Sequence, residues 1–229
     1  MATPNPELRE TQTLPPNIYI IGAQCTGKTT LVNNLREHFS THPHPHPNSN
    51  PDQPGQTGTP PPVIISELAR SVIKAHDFTT RDVRSPTRSL ALQQLILAAQ
   101  AAAERDAVSQ GRWFISDRSG ADPIAYALRY VGEVTTRRVL CGSDEWRELK
   151  GRMQRSLVVV CEAGAEAAGW LTDDGVRLMP EDLDEWVGFH GTFCGFLEGE
   201  GVRFEVLPAG VTGREERVGF VLDRWKGLR

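Results

Sequence analysis

The sequence predicts an α/β domain with a five-stranded parallel sheet flanked by helices. Three observations carry that expectation. Short apolar, β-forming runs alternate with segments of helical periodicity along most of the chain, the pattern that builds a parallel sheet. The segment Gly22-Ala23-Gln24-Cys25-Thr26-Gly27-Lys28-Thr29 stands between the first run and the first helix, as a phosphate-binding P-loop does. Glu67 and Asp117 close two further runs, at the edge where parallel sheets hold their ligands.

Ile18-Tyr19-Ile20-Ile21 is the first strand, and Lys28 to Phe39 places Leu31, Leu35 and Phe39 at helical spacing. Ser40 to Pro62 opens with alternating His and Pro and continues in Asn, Gln, Gly and Pro. Such a composition buries too little apolar area to offset the entropy of ordering, so residues 40–62 read as a disordered insertion. His42, His44 and His46 offer metal donors there, with no carboxylate or cysteine to fix a geometry. Val63 to Ser66 is the second strand and ends at Glu67; Leu68 to His76 is a short helix.

Ser85 as N-cap and Pro86 at the first helical position open a long Ala/Leu/Gln-rich helix that runs to about Gln110 and stops at Gly111. Trp113-Phe114-Ile115 is the third strand, delivering Asp117-Arg118-Ser119, and Asp122-Pro123 caps the helix of Ile124, Tyr126, Ala127 and Leu128. Ser143, Asp144 and Glu145 open the next helix, before a Val-rich fourth strand, Leu157 to Cys161, that is expected near the sheet centre. Gly-rich sequence after Glu162 and an Asp174-Gly175 turn lead to Arg177; Pro180 then starts an amphipathic helix to Leu197. Val202 to Leu207 is the fifth strand, and Thr212-Gly213-Arg214-Glu215 reads as the capping box of a last helix through Trp225.

At 229 residues, shortened by the insertion, the chain is expected to form one domain over 17–229 behind a flexible, proline-containing tail at 1–16. Its net charge is only −4, with Lys and Arg scattered among acids. A nucleic-acid track is therefore not expected, and a small-molecule or protein partner is. Four cysteines with no Cys-x-x-Cys pair fit a reducing compartment. Residues 1–16 lack the apolar core of a signal peptide, and no run of about 18 apolar residues occurs, so a cytoplasmic protein is expected.

The chemistry begins at the P-loop. Its glycines permit a tight turn whose N–H groups surround a phosphate at the positive end of the following helix. Residues Gly22 to Thr30 would hold ATP, with GTP left open. Lys28 would reach the β- and γ-oxygens, and the Thr29 hydroxyl would face Mg²⁺. Asp117 reads either as a Walker-B carboxylate holding that metal or as a solvated strand-end acid or N-cap, with Arg118 as a cation for the transferring group. Glu67 would take a proton from an acceptor hydroxyl, or simply stabilise a helix N-terminus. Arg177 has the position of a lid arginine or of a surface one. Arg81, Arg84 and Arg88 would dock an anionic acceptor or form a solvated face. Cys25 inside the loop is either a small filler or a redox-sensitive thiol.

On these residues the chain resembles an AAA-type P-loop kinase family that includes the nicotinamide-riboside kinase domain of NadR and an insect phosphoinositide-binding trafficking protein. It is similar, more distantly, to deoxynucleoside kinases. The resemblance rests on Gly22 to Thr29, Ser66-Glu67-Leu68-Ala69-Arg70, Leu92-Gln93-Gln94, Ile115 to Ser119, Asp122 to Tyr126 and Asp173 to Arg177. It implies a base role for Glu67, metal and phosphate roles for Asp117 with Arg118, and recognition of a nucleobase by Gln93 or Gln94. Arg84 and Asp122 are expected as further substrate contacts from their own positions, not from the resemblance. Asp117 departs from the Glu of the deoxynucleoside-kinase triplet. Two functions follow as expectations: Mg²⁺/ATP-dependent phosphoryl transfer to a small hydroxyl-bearing metabolite, nucleoside-like compounds being one option, and a nucleotide-bound adaptor or switch acting on a protein or lipid. The Asn-Lys-x-Asp signature of common G proteins is absent.

Overall fold

A computed structural model describes residues 14–42, 60–171 and 178–228. Five parallel strands form one sheet in the order β2-β3-β1-β4-β5. They are β1 (Ile18–Ile21), β2 (Val63–Ile65), β3 (Phe114–Asp117), β4 (Leu157–Cys161) and β5 (Glu205–Leu207). β1 is the middle strand, with Ile18 opposite both Ile115 and Leu157. β4 is interior but lies one place from the centre, where its valines are covered on both faces.

Alternation along the strands divides the core. Ile18, Ile20, Ile115, Leu157 and Val159 face one side, against α1 (Lys28–Thr41) and α8 (Arg214–Lys226). Tyr19, Ile21, Phe114, Val158 and Val160 face the other. That layer contains α3 (Pro86–Ser109), α4 (Ala121–Tyr130), α6 (Asp144–Met153) and α7 (Leu183–Gly199). The short helices α2 (Ala69–Ala75) and α5 (Glu133–Thr136) complete the set. The order is α/β/α in three layers, with every sheet residue of β1, β3 and β4 buried.

Several expected boundaries move, each for a local reason. Helix α1 continues to Thr41, two residues into the expected insertion, with the Thr41 hydroxyl donating to the Glu37 carbonyl. Residues 43–59, with His44 and His46, lie outside the described residues, and His42 stacks on His38. Pro15 and Pro16 are placed, and Trp225 Nε1 donates to the Pro16 carbonyl at 2.7 Å. Helix α7 starts at Leu183 rather than Pro180, because the Asp182 carboxylate accepts from Glu185 N and caps it. Helix α8 has Gly213 at its N-cap and no side-chain cap, so the Thr212 capping box does not form. Asp122 sits inside the first turn of α4 and reaches back to Ser119 N, 2.7 Å away, instead of capping from outside. Residues Arg137–Cys141 form a wide π-helical turn that the sequence did not announce. Among the described residues no helix is long and apolar enough to cross a membrane.

Candidate active site

The carboxyl ends of the strands bring the sequence-marked residues to one edge. Ile21 runs straight into Gly22, whose φ of 125° no side chain adopts readily. A Cβ there would stand 2.6 Å from the Cys161 carbonyl oxygen. Gly27 at φ 74° makes the second turn, into α1. The loop's carbonyls are held by side chains, most of them from other elements. Arg118 Nη1 donates to Gly22 O at 3.1 Å, Trp186 Nε1 to Gln24 O at 2.8 Å, and Arg217 Nη2 to Thr26 O at 2.9 Å. Lys28 Nζ donates to Ala23 O and, at 3.2 Å, to Thr26 Oγ1. With these carbonyls engaged, the loop N–H groups are the backbone groups that an anion at the loop would meet.

Lys28 is buried, and its pKa falls to about 8, because burial disfavours the ammonium and Arg118 repels it. Asp117, at the end of β3, accepts from the Thr29 hydroxyl on Oδ2 at 2.6 Å, while its buried Oδ1 has no hydrogen-bond partner. An orphaned carboxylate oxygen beside a threonine hydroxyl at a phosphate loop is a donor set of hard oxygens. Mg²⁺ takes one or two such protein ligands and completes its shell with phosphate and water, so the residues fit it. No cluster of three or more His, Cys, Asp or Glu suited to a metal occurs among the described residues.

Arg118 has φ 91°, a conformation held in place by its contacts rather than preferred by arginine. Its Nη2 meets Glu67 Oε1 at 3.1 Å, and its Nη1 meets Asp122 Oδ1 at 3.2 Å. Burial opposes its charge, yet Glu67, Tyr126 and Asp122 outweigh burial and raise its pKa. Burial alone would raise the Glu67 carboxyl; Arg118, Lys28 and Arg70 hold it below the usual value, so it is ionised at neutral pH. Asp122 moves the other way, raised by burial against the pull of Arg118 and Lys28. Tyr126, pushed up to about 12 chiefly by burial, stays protonated and donates to Gln24 Oε1 at 3.3 Å.

Two cavities meet at this charged cluster. One is a cleft of about 550 Å³ along the P-loop residues Cys25 to Leu31, walled on its far side by Trp170, Thr212, Arg214 and Arg217. The other, about 90 Å³, runs between α2, α3 and α4, with Leu68, Ile73, Leu92 and Ile96 as apolar wall and Gln24, Gln93, Gln100 and Tyr126 as polar points. Glu67 and Arg118 line both. Helix α3 supplies this second cavity from an unusual buried face: Ser89, Gln93, Gln100 and Glu104 are all inaccessible. Gln100 Nε2 donates to Ser116 Oγ and to Glu104 Oε1, and Tyr19 donates to Glu104 from β1.

The structure thus separates Gln93, which is buried and lines the cavity, from Gln94, which is exposed. Arg84 is not part of the cavity wall. It donates to Glu181 at 2.8 Å, approaches Glu185 at 3.4 Å and lies over Tyr130, tying the segment before α3 to the start of α7. Arg88 is paired with Asp82 and covers Phe78, so two of the three arginines of the expected basic cluster, Arg84 and Arg88, are ion-paired. Arg177 lies outside the described residues. Cys25 is buried in the loop at φ 58°. Arg217, Trp170 and Trp186 were not foreseen. The signal for Arg217 was its place at the start of the helix after β5, which a parallel sheet delivers to the same edge.

A family model described as an AAA domain matches residues 17–217. No curated protein matches the chain. Among solved structures, deoxyadenosine kinase from M. mycoides with bound dATP aligns at a TM-score of 0.54 and 12% identity, over 92% of this chain and 99% of that one. Shikimate kinase from Acinetobacter baumannii in complex with shikimate aligns at 0.48 and 13% identity, over 95% of this chain and 94% of that one. The likeness to deoxyadenosine kinase is one of fold, a P-loop kinase-like α/β domain.

Proposed function

The chain belongs to this AAA-domain family, and from that premise we propose that it transfers the γ-phosphoryl group of ATP to a hydroxyl of a small, uncharged, nucleoside-like metabolite. One observation carries the reading: Glu67 and Arg118 stand in the walls of both the phosphate cleft and the second cavity. A donor and an acceptor lying in the two spaces would meet at these side chains. The second cavity is mostly apolar, and both arginines in its wall are already engaged, Arg118 by Glu67 and Asp122 and Arg70 by Glu67. It suits a ring that offers hydrogen-bonding groups to Gln93, Gln24 and Tyr126 rather than a carboxylate or phosphate.

The loop N–H groups and Lys28 bind the β- and γ-phosphates, and Thr29 with Asp117 would hold Mg²⁺ between them. The metal, when bound, offsets charge on the phosphoryl oxygens. Arg118 faces the transferring group from the acceptor side and orients Glu67. Glu67 accepts a hydrogen bond from the acceptor hydroxyl and takes its proton as the new O–P bond forms and the bond to ADP breaks. Being ionised at neutral pH, it is in the form that can do so.

The test is Mg²⁺-dependent ATP consumption across nucleosides, nucleotides, nicotinamide riboside and other hydroxyl compounds, with Lys28→Ala as blank and the product identified by mass. Stimulation by one compound names the acceptor. Glu67→Gln should then lower kcat by about 10²–10⁴ while ATP still binds. ATP binding with no turnover across the whole panel would instead favour a nucleotide-bound adaptor acting on a protein or lipid.

A further inference from the structure

We propose that Trp170 is the stacking platform for the base of the bound nucleotide, fixed to the phosphate loop through Arg217. The inference rests on the nucleotide-binding reading above and assigns the half of the cleft which that reading leaves unexplained. Loop amides and Lys28 account for phosphates at one end. The other end is walled by Trp170, Thr212, Arg214 and Arg217, and Trp170 is the one aromatic side chain among the cleft's described lining residues.

Its placement is tied to the loop in two ways. The indole packs directly on Gly27, where an added Cβ would lie 3.3 Å from Cζ3. Arg217 is 7% exposed; its guanidinium donates to the Thr26 carbonyl at 2.9 Å and sits 5.1 Å from the indole centroid. One buried cation therefore holds both the turn that binds phosphate and the ring beside it. A nucleotide seated on the loop extends beyond its phosphates into a cleft whose remaining aromatic surface is this indole. The other four tryptophans, Trp113, Trp146, Trp186 and Trp225, are fully buried in the core, whereas Trp170 is half-buried at the cleft. Stacking is tolerant of base identity, because every base has a π-face. The platform accordingly registers that a base is present, and ATP and GTP should bind within a few-fold of each other.

Wild type, Trp170→Phe and Trp170→Ala would be titrated with Mg-ATP, Mg-GTP and Mg-tripolyphosphate by calorimetry and by tryptophan emission. Trp170→Ala should weaken both nucleotides about 5- to 150-fold, the range for loss of one base–aromatic stack, and leave tripolyphosphate within twofold. Trp170→Phe should restore most of the nucleotide affinity. In wild type, ATP should change an emission component that Trp170→Phe lacks, and tripolyphosphate should not. Equal weakening of ATP and tripolyphosphate in Trp170→Ala, or no weakening of ATP, would overturn the platform alone. Failure of wild type to bind any of the three would overturn the nucleotide reading and the platform together.

Discussion

Replacing Lys28 by methionine should stabilise the nucleotide-free protein while abolishing its response to ATP. Lys28 is held in a buried site where its pKa drops from 10.5 to about 8. Keeping it charged at neutral pH therefore costs on the order of 3 kcal/mol, at about 1.4 kcal/mol per pH unit. Methionine keeps much of the volume and removes the charge, against a loss of about 1 kcal/mol for imperfect repacking and the lost bonds. No acceptor is orphaned, since Ala23 O still receives the Thr26 hydroxyl at 3.0 Å. The net gain of about 2 kcal/mol corresponds to a Tm rise of about 4–8 °C for a chain of this size. The pH dependence fixes the cause. Between about pH 8 and 10.5 the unfolded chain binds more protons at this lysine than the folded one, so wild-type stability gains from Lys28 as pH rises through that window. The advantage of Lys28→Met should shrink correspondingly. Scanning calorimetry at pH 7 and pH 9.5, with and without Mg-ATP, reads both effects. A fall in Tm for the variant at pH 7 would refute the claim that the site is built at a cost to be offset by phosphate.

The same lysine predicts that ATP affinity is flat from pH 6 to 7.5 and weakens above about pH 8, by up to tenfold per unit, because binding requires the protonated form; calorimetric titration across pH 6–9.5 checks it. Gln93→Ala should raise the acceptor KM about tenfold, and Gln94→Ala should leave it unchanged, since only Gln93 lines the cavity; steady-state kinetics with the identified acceptor distinguishes them. Gly22→Ala should cost about 2–4 kcal/mol in urea unfolding, because it combines φ 125° with a Cβ 2.6 Å from a backbone oxygen. An unchanged midpoint there would mean that β1 and β4 can separate at no cost.

The loop of the proposed phosphate site was recognisable as a P-loop because its residues are contiguous. Glycines at 22 and 27, Lys28 and Thr29 follow one another in a strand–loop–helix order that local periodicity already marks. Asp117 and Glu67 were legible for a related reason: each ends an apolar run, and parallel strands bring such ends to one edge. The choice between Gln93 and Gln94 was not, because neighbouring residues on a helix differ by about 100° in direction and α3 has an Ala-rich surface that does not advertise its buried side. Arg84, plausible as an anion contact by charge, is drawn to Glu181 and Glu185, 97 and 101 residues along the chain. Trp170, Trp186 and Arg217 reach the loop from elements 140 or more residues downstream, with no spacing that links them to it. By itself the sequence determined the fold class, the P-loop motif between β1 and α1 and the edge where the strand-end acids gather, since short-range pattern and strand direction suffice for those. The tertiary structure alone decided which side chains close the cleft, which glutamine faces the cavity and which arginine is occupied elsewhere. Those outcomes depend on packing between distant segments, where burial and competing charges select among residues that look alike along the chain.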